Sequence, residues 1–417
     1  MRKGTVRIFA ALIALALAAA PLAAAPKVKL TVWYGVSGAS GEAFKALLDK
    51  YSTANPNVEI TASYSGNYSD TATKVSAALV SNTAPDVALM AAGPLYTGGN
   101  GDFYMESKVN ESSFKKSDIF PGVWEYTKFN GRICAVPYGI STPILYYNKD
   151  LVEKAGVNMA KSAPKTWNDL YKLAKLVQDK NNAAGASISG FDVTDVGWLF
   201  KTMLNQNGNN VINVKKGAVS PAFNDAKGLE VATFWKRMID DKVMAVGQHS
   251  NAEKAFLSGN VAFLVATSAR IAKWSKSATI PVSAVAMPYF KKPSVALGGN
   301  VLVILGKDKA TKDAAWDLVK FLASTENQTD FALKTGYLPI RKSGVARPEV
   351  KQIMKDNPMY AVAFNQLGIA WSYWHFEQMG TMDSILWEMI DNIERGTMTP
   401  KDALDKAAKD LQNEIDS

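Results

Sequence analysis

The 417-residue sequence contains a single cysteine and only two histidines. One thiol cannot close an intramolecular disulfide, so stability has to come from packing even in an oxidising compartment. Cys134 stands beside Ile133, Ala135 and Val136, an apolar setting that fits an inert buried thiol. His249 and His375 are distant from one another and have no His or Cys partners, so no metal-ligand spacing exists. A Gly-x-Ser-x-Gly nucleophile elbow is missing, as is a Gly-rich phosphate loop ending in Gly-Lys-Ser/Thr. No metal, cofactor or catalytic constellation is therefore expected. Acids such as Asp240, Asp241 and Glu253 fall on polar helix faces, where solvated ion pairs account for them.

Long runs of basic charge are also missing. The formal charge is +9, of which Arg2, Lys3 and Arg7 contribute three, and the longest basic runs are pairs such as Lys115-Lys116 and Lys291-Lys292. Nucleic-acid binders concentrate charge in runs interleaved with aromatics, so a polyanion partner is not expected. The one unbroken apolar run, Ile8 to Ala20, is too short to span a bilayer, which takes roughly 20 apolar residues. Basic residues before it, and Pro21 with Ala23, Ala24 and Ala25 after it, give the layout of a secretory signal covering residues 1–25. No Cys lies near the expected cut, so no lipid anchor is available, and a freely exported protein points to a periplasm.

What is present is a globular composition, 47% hydrophobic and 20% charged. The length suggests two or three domains of ordinary size. Strand-like Val28 to Tyr34, Val58 to Tyr64 and Asp86 to Met90 alternate with helical patterns, which predicts an α/β layer with a largely parallel sheet. Ligands bind such sheets at the carboxyl ends of the strands, here the loops Gly35 to Gly41, Gly66 to Asp70 and Ala91 to Gly101. Alternation sends one of Trp33 and Tyr34 to the core and the other to the cleft, and Tyr34 is assigned to the cleft. Tyr68, flanked by Gly, Asn and Ser, has no helical stripe to complete and is a stronger candidate. Trp198 opens an apolar helix and suits either the core or the cleft. The strand ending at Thr267 and Ser268 leads into a helix whose free amides can hold a hydroxyl or an anion.

The chain is organised around Pro137 to Asp150, PYGISTPILYYNKD, a strand with a bend at its entry, followed by Pro164 to Leu170, where Thr166 can cap a helix. YYNKD, PKTW and TGYLPIRKS (Thr335 to Ser343) together resemble the bacterial extracellular solute-binding proteins of ABC importers, in the maltose-binding and glycerol-3-phosphate-binding branch. The smaller motifs ANP at Ala54, GNY at Gly66, Gly298-Gly299, GKDK at Gly306 and Thr399-Pro400 follow in the family's order.

The resemblance implies a two-lobed α/β fold of the class II periplasmic-binding type. Three hinge crossings, near Gly139, Val285 and Pro339, enclose a ligand cleft between the lobes. Lobe I takes residues 26–139 and 287–338; the helix-rich lobe II takes 140–286 and 339–417. The implied partners are a small ligand and the transmembrane permease subunits, with the protein itself a monomer. Residue by residue, the phosphate-binding branch's ligand positions map to Tyr68, Ser141, Gly299 and Tyr337, with Thr267 in place of a Ser. At least one of Trp371 and Trp374 is expected to stack on the ligand, the alternative being core burial.

Two positions break that branch's pattern. Ala92 stands where the branch has a Glu, and Asp383 where it has the Arg that pairs with phosphate, although Asp383 also suits the N-cap of a helix over Ser384 to Glu394. An anion about 4 Å from a carboxylate meets roughly 4 kcal/mol of repulsion at a surface-like dielectric. A neutral carbohydrate is therefore the expected ligand. Glycerol 3-phosphate or a glycerophosphodiester is the alternative, and a periplasmic carbohydrate-active enzyme a third reading.

Overall fold

The computed structural model describes residues 27–92, 104–247 and 249–417. The expected signal segment and most of the Ala91 to Gly101 loop lie outside them. The first sheet has five strands in the order Val58–Tyr64, Val28–Tyr34, Val87–Ala91, Gly298–Ile304, Val136–Ser141. The first three are parallel, as their helical crossovers require. Gly298–Ile304 runs antiparallel to both of its neighbours, a return strand that local patterning does not announce.

The second sheet orders Val282–Val285, Pro143–Asn148, Val261–Thr267 and Ser189–Val193. Its central strands are buried on both faces. Leu145, Phe263 and Val265 join the core that contains Trp167, Leu199 and Trp235, while Ile144, Tyr146 and Leu264 join the one containing Trp274, Tyr360 and Phe364. That is why PILYY reads as a continuous apolar run instead of an alternating one.

The PYGISTPILYYN stretch is two strands, not one. Val136–Ser141 belongs to the first sheet and Pro143–Asn148 to the second, so the chain changes sheet at the fully buried Thr142. Ser268 holds this junction. Its Oγ accepts from the Thr142 N–H at 3.2 Å, and its own N–H donates to the Thr142 carbonyl at 2.8 Å. The backbone returns twice more to the same region, where Leu338 N–H donates to Ile140 O and Leu297 N–H to Trp371 O.

Local chemistry sets the helix starts. Thr166 and Asp169 form a capping box that opens Trp167–Ala183, and Asn67 with Asp70 does the same for Tyr68–Val80. Trp167, Leu170, Leu173, Ala174 and Val177 are buried at the spacing the sequence implied. The last helix, Pro400–Asp416, buries Leu404, Ala407, Ala408 and Leu411, and each such Leu contributes about 2 kcal/mol by leaving water. Among the described residues no helix is long and apolar enough to cross a membrane.

Candidate functional site

Between the two sheets lies a cavity of about 400 Å³, a size that suits a small organic ligand. The first-sheet side contributes Tyr68, Tyr126, Ser141, Gly299 and Tyr337 to its wall. Tyr68 is the first residue of its helix, placed there by the Asn67 cap. Its hydroxyl shares a hydrogen bond of 2.8 Å with that of Tyr337 and accepts one from Asn300 Nδ2 at 2.9 Å. Asn300 is fully buried, and its Oδ1 accepts from the Gly139 N–H at 2.9 Å. Tyr126 Oη donates to Gly299 O at 3.1 Å.

Burial pushes the Tyr68 and Tyr126 phenols well above their ordinary range, and that of Tyr337 upward too. At neutral pH this wall therefore presents uncharged hydroxyls. Gly299 permits the close packing: its φ is +116°, and a Cβ there would sit 1.9 Å from the Gly139 carbonyl oxygen.

The opposite wall comes from the second-sheet side. Helix Val196–Gln206 begins at Asp195, whose Oδ1 accepts from the Trp198 N–H at 2.8 Å. Asp195, Trp198 and Lys201, spaced by three, share the face turned to the cavity. From helix Met379–Arg395, Asp383 and Trp387, one turn apart, reach the same space. Lys201 Nζ donates to Asp383 Oδ1 at 2.6 Å and lies 4.3 Å from the Tyr373 ring centre. Burial works against the ammonium, but the Asp383 charge overrides it and holds Lys201 above its ordinary range. Burial raises the Asp195 carboxyl, partly offset by the Trp198 N–H and by Lys201. Arg270 also lines the cavity, and its guanidinium is paired with Glu253 at 2.8 Å.

Of the residues singled out in the sequence, Tyr68, Ser141, Trp198, Thr267, Gly299, Tyr337 and Asp383 come together here. Thr267 Oγ1 also caps Ala269 N–H at 3.2 Å. Four others do not line the cavity. Tyr34, paired on both sides with Tyr64 and Leu89, packs its ring on Phe44 and Tyr64, with centroids 5.6 and 6.0 Å away. Ser268 is wholly buried against Thr142.

Trp371 is held by its strand pairing with Ala296 and packs on Tyr373. Trp374 lies over Gly131, where a Cβ would meet its ring at 3.0 Å. The aromatic wall is instead built by Trp198, Tyr373 and Trp387. Asp383 is not an N-cap, since its helix starts four residues earlier at Met379. No local motif in the sequence points to Asp195, Lys201, Arg270, Asn300 or Trp387. The three-residue spacing of Asp195, Trp198 and Lys201 was the available signal, but a lysine in an apolar helix reads as an edge residue until its partner helix is known.

Several characterised proteins resemble this chain. It is 27% identical to the sn-glycerol-3-phosphate-binding periplasmic protein UgpB of Escherichia coli O1:K1, covering 95% of this chain and 94% of that one. UgpB of Brucella abortus is 27% identical over 79% of this chain and 78% of its own length. Among solved structures, the cyclic alpha-maltosyl-1,6-maltose binding protein of Arthrobacter globiformis superposes with a TM-score of 0.80 at 23% identity, covering 93% of this chain and 99% of that one. UgpB of Mycobacterium tuberculosis, in complex with glycerophosphocholine, gives the same TM-score and identity over 93% and 98%. The fold is thus the two-lobed α/β arrangement with a cleft between the lobes. The family model for bacterial extracellular solute-binding proteins matches residues 46–359, and this chain belongs to that family.

Proposed function

We propose that the protein is the extracellular receptor of an ABC importer for a neutral carbohydrate, which it captures by closing two lobes and hands to the membrane permease. The lobes follow the two sheets, with the first crossing at Thr142 instead of Gly139, and with Met287, Phe290 and Val295 packed in the second-sheet core, so that the chain re-enters the first lobe only near Leu297. The chemistry is binding without turnover by a monomer. One observation carries the choice of ligand: the cavity combines uncharged phenol hydroxyls and indole faces with a lysine already neutralised by Asp383. Sugars offer apolar ring faces for indoles and hydroxyls that both donate and accept.

A second reading, glycerol 3-phosphate or a glycerophosphodiester, is favoured by the names of the relatives and by the cations Lys201 and Arg270 in the wall. Each of those cations already has a carboxylate partner, which weighs against a free anion site. Calorimetry with mono- and oligosaccharides, glycerol 3-phosphate and glycerophosphodiesters tests the choice. Tight binding of a neutral sugar is expected; tight binding of glycerol 3-phosphate with none of any sugar overturns it. A chromogenic glycoside screen with measurable turnover would overturn the non-catalytic reading.

A further inference from the structure

Lys201 is an odd residue for its position. It leaves the middle of helix Val196–Gln206, where Leu199, Phe200, Met203 and Leu204 are buried around it, and its own side chain is only 3% exposed. Burying a charge is costly unless it is paired, and an apolar side chain of similar volume serves packing as well or better. Its partner Asp383 arrives from another helix and is 39% exposed toward the cavity. Asp383 Oδ1 takes the lysine; among the described residues no partner engages Oδ2.

The two groups differ in what they accept. An ammonium only donates hydrogen bonds, and an ionised carboxylate only accepts them. Side by side they match a group that does both at once. A hydroxyl qualifies, and a vicinal diol qualifies twice. A ligand phosphate or carboxylate placed on Lys201 meets the charge of Asp383, and a ligand ammonium placed on Asp383 meets that of Lys201.

We propose that Lys201 and Asp383 together determine the ligand class: a donor and acceptor pair that takes a hydroxyl or diol end, in which Asp383 prevents the buried ammonium from acting as an anion site. The assignment of a sugar end to this pair rests on the carbohydrate reading above. The charge relationship does not. Removing the carboxylate charge while keeping its shape takes from Lys201 its hydrogen-bonded counter-ion and leaves only Asp195 of the same wall, already engaged by the Trp198 N–H, as a nearby acid, and the cavity then recruits a small anion from solution.

The test uses the mature protein as wild type, Asp383→Asn, Asp383→Ser and the double variant Asp383→Asn with Lys201→Met. Inorganic phosphate and glycerol 3-phosphate are titrated by calorimetry, and near-ultraviolet circular dichroism checks that each variant is folded. Phosphate affinity is expected to rise by about tenfold or more in Asp383→Asn, the worth of one charge-assisted hydrogen bond. The gain should vanish in the double variant. Unchanged phosphate affinity in whichever of the two single variants folds, or a gain that survives Lys201→Met, overturns the proposal. In a separate arm, wild-type protein that binds no sugar removes the carbohydrate reading alone, because the phosphate arm needs no sugar.

Discussion

Tyr68 and Tyr337, 269 residues apart in the chain, share a 2.8 Å hydrogen bond between their hydroxyls at the wall of the cleft. Asn300 supports the pair from behind, and through Gly139 N–H it ties them to the strand that leads into the sheet change at Thr142. Tyr68→Phe leaves Asn300 Nδ2 buried without that acceptor. A loss of about 1 kcal/mol in stability is expected by chemical denaturation. Calorimetry should show weaker binding of the cognate sugar as well, whereas unchanged affinity would place Tyr68 outside the contact surface.

Asn300→Ala should do more than Tyr68→Phe, because it strands the Gly139 N–H and also takes one of the two partners of the Tyr68 hydroxyl, which keeps only Tyr337. Two lost partners in a buried setting are expected to cost about 2 to 3 kcal/mol. A double-mutant cycle with Tyr68→Phe measures the coupling, and strict additivity would argue against a connected network.

The indoles separate stacking from packing. Trp387 is 41% exposed and lines the cavity, while Trp374 is 36% exposed and covers Gly131 away from it. Trp387→Ala is expected to weaken sugar binding by roughly tenfold with little change in melting temperature. Trp374→Ala should leave affinity unchanged. The reverse pattern in titration calorimetry would return the stacking role to the Trp371 to Trp374 segment.

His249 reports on pH. Its Nδ1 and Nε2 lie 3.0 Å from Asp192 Oδ1 and 2.8 Å from Glu394 Oε1, all three groups being buried. Burial opposes the imidazolium, but hydrogen bonds and charge from the two carboxylates prevail and raise its pKa to about 9. A raised folded-state pKa gives stability that is fully present below the unfolded value of about 6.5 and is lost as pH climbs through about 9. The loss is on the order of 3 kcal/mol. Melting temperature should therefore fall between pH 6 and pH 10 more steeply in wild type than in His249→Gln, and equal slopes would refute the linkage.

Gly299→Ala is expected to damage folding more than function alone. Its φ of +116° strains any L side chain, and the added methyl has no room beside the Gly139 carbonyl. Losses above about 3 kcal/mol follow from such overlaps. Expression and thermal melts give the readout, with near-wild-type stability as the contrary result.

The compartment expectation, the family resemblance, the helices and the class of fold are legible along the chain. These depend on local signals: the Thr166 cap, the apolar spacing of Trp167 to Val177, and short motifs in order. The sequence also marks Tyr68, Ser141, Gly299 and Tyr337, because those motifs carry them. The charge pairing in the cleft emerges only from the folded chain. Asp383, seen along its own chain segment with no Arg or Lys between Lys355 and Arg395, looks like an unopposed acid. Its counter-ion Lys201 comes from a helix 182 residues earlier. Periodicity shows which face of a helix is apolar, but it carries no information about which distant helix packs against that face. A charge pair assembled across such a contact therefore becomes visible only when both helices are in place.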